Sequence, residues 1–354
     1  MTIKSSYISY SYVALIMKKT FLENNGQFII EIPIEWGYKN PEFNAKENEP
    51  HSFELYEKSV GCFQITCKLK TTGSIPELIE SKKLKSQEIG KANIEFQDSF
   101  VPTEKFDIYF WMAVVEDYFI MCKYIYDALK RESSPIKDEI KKARIALVTF
   151  LVVHEEDKES FLASDRIDKF MGSLMASEDL SNRAYKSNSS IELVILLANQ
   201  IDAILRLSLI LNYQLNEKTF EIDLLLLHQG ETDKPVMEKT VYKRALDEGI
   251  IDKKLYDELF DLYSERNKVV HRYIITDIKT KNIDEIVHDY GIAKEKISAL
   301  LKKLEERQFE EKTGIYGLQD SPNTPPDDFT LKRIVAAVKD KHADKLINKD
   351  VTLK

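Results

Sequence analysis

Residues 191–211 are apolar almost all the way round a helix, and a helix without a polar face cannot lie on a protein surface. Other helices must wrap it, so this half of the chain is expected to be a helical bundle. The exceptions narrow the geometry. Glu192, Asn199, Asp202 and Arg206 fall in one sector at ~100° per residue, and Asp202 and Arg206 are one turn apart. That sector either faces a polar site or carries an Asp202–Arg206 ion pair on the edge of the bundle.

A second helical segment ends in Arg266-Asn267-Lys268-Val269-Val270-His271, followed by Arg272-Tyr273. It places a permanent cation five residues before the side chain that titrates nearest neutrality. Cleaving a phosphodiester calls for both: a cation for the charge on the pentavalent phosphate and an acid or base for the oxygens that attack and leave. Asn267 and His271 share a face. Arg266 lies about 140° round from His271 and has to reach with its stem. The plain alternative is a helix-end histidine near the terminal carbonyls and an arginine on a solvated face.

The layout of residues 186–312 resembles the HEPN family, all-helical domains that include many RNases. The resemblance rests on the first helix from Ser190-Ile191-Glu192 to Ile210-Leu211, on Tyr242-Lys243-Arg244-Ala245-Leu246 with Glu248-Gly249-Ile250-Ile251, and on a motif helix from Lys254-Leu255-Tyr256 through Glu265-Arg266-Asn267 to His271 and Tyr273. It implies a metal-independent endoribonuclease of a toxin or phage-defence system. His271 and Arg266 would be catalytic and Asn267 would hold substrate or imidazole. An acidic residue on the early helix would support the motif: Asp202 first, Glu192 second, with Arg206 beside them. The substrate implied is single-stranded RNA, whose 2′-OH is the nucleophile. A homodimer would bring two motifs to one cleft, and an antitoxin or a phage or host factor would be the trigger. Tyr273 resembles the tyrosine that a nucleotidyltransferase antitoxin modifies; alternatively it packs beside Val269. A different class also fits, a non-catalytic nucleotide-binding or dimerisation adaptor.

Residues 17–153 read as an α+β domain. Strands are expected at 27–34, closed by Pro33 and Trp36-Gly37, at 63–70 with strict alternation, at 106–115 with both faces apolar, and at 118–126 after the Glu116-Asp117 turn. Helices fit 76–88 and 136–151. Ile32-Pro33-x2-Trp36, Ser52-Phe53-Glu54-Leu55 and Gly61-x-Phe63-Gln64-Ile65-Thr66 resemble the PsbP-like α/β sandwich, an antiparallel sheet with flanking helices. That resemblance implies a binding or sensing unit with no catalytic residues. Trp36 and Trp111 line a ligand groove or belong to plain core. His51 reads as an exposed strand histidine beside Glu54 and Glu57.

The fold class expected is thus an α+β domain followed by an all-α bundle. Its divisions are a 1–16 extension, the 17–153 domain, a polar 154–189 linker with one short helix at 164–175, the 190–312 bundle, and a 313–354 tail. In the tail, Gly314, Gly317, Pro322, Pro325 and Pro326 stop helices, and 329–345 forms a last helix with Leu331, Ile334, Val335 and Val338 on one face.

A net charge of −8 over 354 residues excludes a broad basic field, so RNA would be gripped locally. Three cysteines give no disulfide framework and fit a reducing compartment. Cys62 and Cys67, five apart on a strand, point to opposite faces, and no C-x2-C, H-x3-H or H-E-x2-H spacing occurs, so neither metal nor cofactor is expected. The apolar run 12–17 is too short to cross a bilayer, and no other run is read as long enough, so the expected location is cytoplasmic, away from membranes.

Overall fold

A computed structural model describes residues 18–41, 46, 49–56, 59–90, 93–229, 234–318 and 328–342, without the side chains of 328–330 and 332. The extension 1–16, Glu57 and the three prolines of the tail lie outside them. The chain divides into two compact units between Glu159 and Ser160. The first is a sheet region; the second is helical.

The first unit runs β1 (Lys18–Leu22), β2 (Phe28–Pro33), β3 (Trp36–Tyr38), β4 (His51–Leu55), β5 (Cys62–Leu69), α1 (Ile75–Lys82), β6 (Ser86–Gln87), β7 (Gln97–Pro102), β8 (Phe106–Val115), β9 (Tyr118–Asp127), α2 (Ser134–Leu147) and β10 (Leu151–Val152). A seven-stranded sheet has the order β3-β4-β5-β9-β8-β6, with β7 also on β8; a three-stranded sheet has the order β1-β2-β10. All pairings are antiparallel except β6 on β8. β8 is apolar on both faces because both are covered. Trp111, Ala113 and Val115 enter a core shared with β2, β5, β9 and α2. Met112 and Val114 meet Ile75, Leu78 and Ile79 of α1.

Boundaries differ from the expected ones where the backbone turns. α1 stops at a left-handed Lys83 (φ 52°), and Ser86–Gln87 then joins the sheet. α2 starts at Ser134 and ends at Leu147, which frees Leu151–Val152 to pair with β2. Trp36-Gly37 is part of a short strand.

The second unit contains α3 (Lys158–Lys186, its first two residues in the first unit), α4 (Ser190–Glu217), α5 (Leu224–Leu227), α6 (Glu238–Asp247), α7 (Lys253–Arg272), α8 (Thr280–Glu311), α9 (Gly314–Gly317) and α10 (Asp328–Lys341). α4 is central. Val194, Ile201, Leu205 and Leu209 pack with Val241 and Ala245 of α6, Leu255, Leu259 and Leu262 of α7, and Ile283, Tyr290 and Ile297 of α8. Two polar residues outside the expected sector are also buried there. Gln200 donates to Ser181 Oγ at 2.8 Å, and Ser208 donates to the Ile204 carbonyl at 2.8 Å. By length and composition α4 is long and apolar enough to cross a membrane, which corrects the expectation that no such run exists; 67% of its apolar window is buried within the fold.

The segment read as a polar linker is the 29-residue α3. Its buried positions are Asp165, Gly172, Ala176, Ser181 and Ala184, small or polar residues that leave no apolar stripe to read. α10 lies along it. A Cβ on Gly172 would come within 2.4 Å of Ala337 Cβ, and Arg333 pairs with Asp168. The tail glycines do not stop structure either. Gly314 (φ 69°) opens a further helical turn, packed so tightly on Gln308 and Gln214 that no side chain fits.

Candidate functional site

The motif helix is well specified locally. The Asp252 carboxylate caps it by accepting from Leu255 N at 2.8 Å, and Leu255, Leu259, Leu262 and Val269 bury one stripe. Arg266 falls on that same stripe, seven residues after Leu259 and three before Val269. Its guanidinium is therefore driven inward and requires a counterion.

Glu238, at the start of α6, supplies the charge. Its Oε2 accepts from Arg266 Nη1 at 2.5 Å, and its Oε1 accepts from the Tyr242 hydroxyl. The two charged side chains are only 17% and 15% exposed. Burial alone would weaken the Arg266 charge, but Glu238 outweighs it and the guanidinium's pKa is raised. Arg266 Nη2 also donates to Asn267 Oδ1 at 3.2 Å, and the guanidinium lies 4.7 Å from the Tyr263 ring centre. Tyr263 and Glu238 hold Arg266 toward the N-terminal side of its helix. The sequence pointed to a carboxylate on α4 for this role, and the direct partner is on α6 instead.

Asp202 stands close behind. Its Oδ2 accepts from Arg206 Nε at 2.6 Å, and Arg206 Nη2 donates to the Val236 carbonyl at 2.7 Å. Asp202 Oδ1 is buried with no hydrogen-bond partner. Burial raises its pKa; Arg206 and Arg266 oppose that, and Glu238 adds to it. The Asp202–Arg206 pair thus forms as the plain alternative held, within the field of the Arg266–Glu238 pair. Glu192 does not join this cluster. It is exposed, ten residues earlier on α4 and so about 15 Å away along the axis.

His271 is exposed in the last turn of α7, and its imidazole makes no hydrogen bond among the described residues. Asn267, one turn earlier, is half-buried. Tyr273 opens a 3-10 turn after the helix and is 38% exposed rather than packed away like its neighbour Val269. The arrangement sets a fixed cation, an amide and an exposed imidazole along one helix. Val270, next to His271 in the chain, and Ile274 and Ile275 of the following 3-10 turn are exposed, the isoleucines at 93% and 79%.

In the first unit the tryptophans separate. Trp36 is core, its indole N–H donating to the buried Glu139 carboxylate at 2.6 Å. Trp111 forms the floor of a groove of about 230 Å³ with Ile94, Phe96, Asp98, Arg144 and Leu147. His51 is not an exposed strand histidine. β4 aims it between Phe21, Phe28 and Tyr38, with the Tyr38 hydroxyl 3.0 Å from Nδ1. Burial lowers its pKa against the pull of Glu23. Among the described residues, no three or more His, Cys, Asp or Glu gather as a metal site would require.

No protein-family model matches this chain, and no curated protein does. A crystal structure from Bacteroides thetaiotaomicron VPI-5482, at 1.50 Å resolution, is similar over 72% of this chain and 80% of its own, with 13% identity and a TM-score of 0.29. A likeness at that level carries no argument about fold or function.

Proposed function

We propose that the protein is a metal-independent endoribonuclease of the HEPN type, acting in a toxin or phage-defence system. The observation that carries this reading is the exposed His271 on the same helix as a cation fixed by Glu238, with Asn267 between them. RNA brings its own nucleophile. The 2′-oxygen attacks phosphorus, the bond from phosphorus to the 5′-oxygen breaks, and a 2′,3′-cyclic phosphate and a 5′-OH result. His271 takes the proton from the 2′-OH or gives one to the leaving oxygen. Arg266 steadies the charge on the transferring phosphoryl group. One imidazole serves half of the proton transfers, and a two-fold dimer supplies the second. The exposed Val270, Ile274 and Ile275 give that dimer an apolar seam beside His271. The first unit, with a PsbP-like sandwich as its finer fold, senses the trigger or restrains the nuclease.

The test is cleavage of single-stranded RNA in EDTA. His271→Ala is expected to abolish cutting without loss of fold, since the side chain is exposed. Arg266→Ala is expected to lose at least ~10²-fold in rate. No cutting across a broad RNA panel, or cutting that chelator removes, overturns the mechanism. The closed Arg266–Glu238 pair favours a second reading, a non-catalytic nucleotide-binding or dimerisation adaptor in which Arg266 is structural.

A further inference from the structure

Tyr256, Phe260, Tyr263, Asn267 and His271 stand at successive four-, three-, four- and four-residue steps, so one face of α7 presents three aromatic rings and then the two polar motif residues. The stretch covers about 22 Å at 1.5 Å per residue. Cations lie over these rings. Lys253 Nζ is 5.0 Å from the centre of the Tyr256 ring. Lys239, from the first turn of α6, is 4.4 Å from the Phe260 ring and 4.5 Å from the Tyr263 ring. Arg266 covers Tyr263 from its other neighbour position at 4.7 Å.

The charges along this face are not equivalent. Lys253 pairs with Asp257, and Arg266 pairs with Glu238. Lys239 is exposed and has no carboxylate partner among the described residues. Phe260, a large apolar ring, is 38% exposed beneath it. Core packing explains Tyr256 and Tyr263 in part, because both touch the bundle's apolar cluster. It does not explain an exposed phenylalanine held under an unpaired ammonium.

From this we infer that the α6–α7 face is a stacking track for single-stranded nucleic acid: Lys239, which no carboxylate holds, swings off Phe260 onto a phosphate, an unpaired base takes its place on that exposed ring, and the strand is delivered to Asn267 and His271. The inference rests on the nuclease reading for the destination of the strand, though not for its binding. Aromatic faces accept any base, so the track selects unstacked strands over duplexes and tolerates sequence. It also reconciles nucleic-acid binding with a net charge of −8, because stacking replaces most of the missing electrostatic grip. Bases do not need the 2′-OH to stack, so single-stranded DNA binds too, without being cut.

Fluorescence anisotropy with a labelled 12-nucleotide single-stranded RNA, using the full chain carrying His271→Ala, tests this directly. Phe260→Leu keeps an apolar side chain and removes the ring; affinity is expected to fall about tenfold, with the salt dependence unchanged. Lys239→Gln is expected to weaken binding and to reduce the slope of log affinity against log salt by about 0.7, the contribution of one phosphate contact on a single strand. A duplex RNA of the same sequence should bind more weakly and respond little to Phe260→Leu. Unchanged affinity in Phe260→Leu, an equal loss for duplex and single strand, or no binding by the parent overturns the track. Cutting by the protein with His271 intact, together with normal binding by Phe260→Leu, leaves the nuclease standing and removes the track. Binding through Phe260 and Lys239 with no cutting by the protein with His271 intact does the reverse.

Discussion

Arg266 is unusual because it occupies a position that the helix assigns to the core. The stripe Leu255, Leu259, Leu262, Arg266, Val269 would be wholly apolar if position 266 were a leucine. A guanidinium there is tolerable only because Glu238 faces it and the Tyr242 hydroxyl satisfies that carboxylate's other oxygen. Removing one member of a mostly buried ion pair leaves the other uncompensated, at about 3–5 kcal/mol for a fully buried pair and somewhat less here. Glu238→Gln is therefore expected to lower unfolding free energy by roughly 2–3 kcal/mol, while the double change Glu238→Gln with Arg266→Met recovers most of that loss. Denaturant titration of the four proteins gives the coupling; strictly additive losses would show that the two residues do not act as a pair. Asn267 and His271 sharing a face was legible from their spacing alone. Glu238 was not, because a counterion 28 residues away is brought in by helix packing, which no local pattern records.

At the level of elements, sheet and bundle differ in how plainly they are written. β5 shows period-2 alternation because one face buries Phe63 and Ile65 and the other stays half-open. α7 shows its amphipathic stripe for the same kind of reason. α3 hides because it packs through small residues, which let another helix approach closely but leave no apolar signature. Gly172 is the clearest of these, with Ala337 of α10 filling the space a side chain would need. Gly172→Leu should therefore force α10 away from α3, at roughly 1–3 kcal/mol for overpacking. Hydrogen exchange in residues 331–342 is expected to speed up in this variant far more than exchange in α4. Equal protection of α10 in both proteins would mean that the contact contributes little. The same logic accounts for β6 and β10: two residues each are too few for any periodicity, and both are fixed by a neighbouring strand.

For the whole molecule, the division between Glu159 and Ser160 changes how the restraint idea should be tested. A fragment starting near 186 would strip α3 from the helical unit, uncovering the apolar cluster that Leu174 packs on and leaving the buried Gln200 of α4 without Ser177 and Ser181. A fragment starting at residue 158 keeps the helix. If the first unit restrains the nuclease, residues 158–354 are expected to slow growth of an expressing cell more than the full chain does, and His271→Ala should relieve it. A folded fragment no more harmful than the intact protein removes the case for inhibition by the first unit. α4 has a consequence of another kind. The end of α8, its main cover, follows the end of α4 by 94 residues. At about 5–20 residues per second of synthesis, the ribosome leaves that apolar helix incompletely wrapped for roughly 5–20 s. During that interval its length and composition match those of a segment bound for a bilayer, so the nascent chain is expected to need shielding until α8 closes over it.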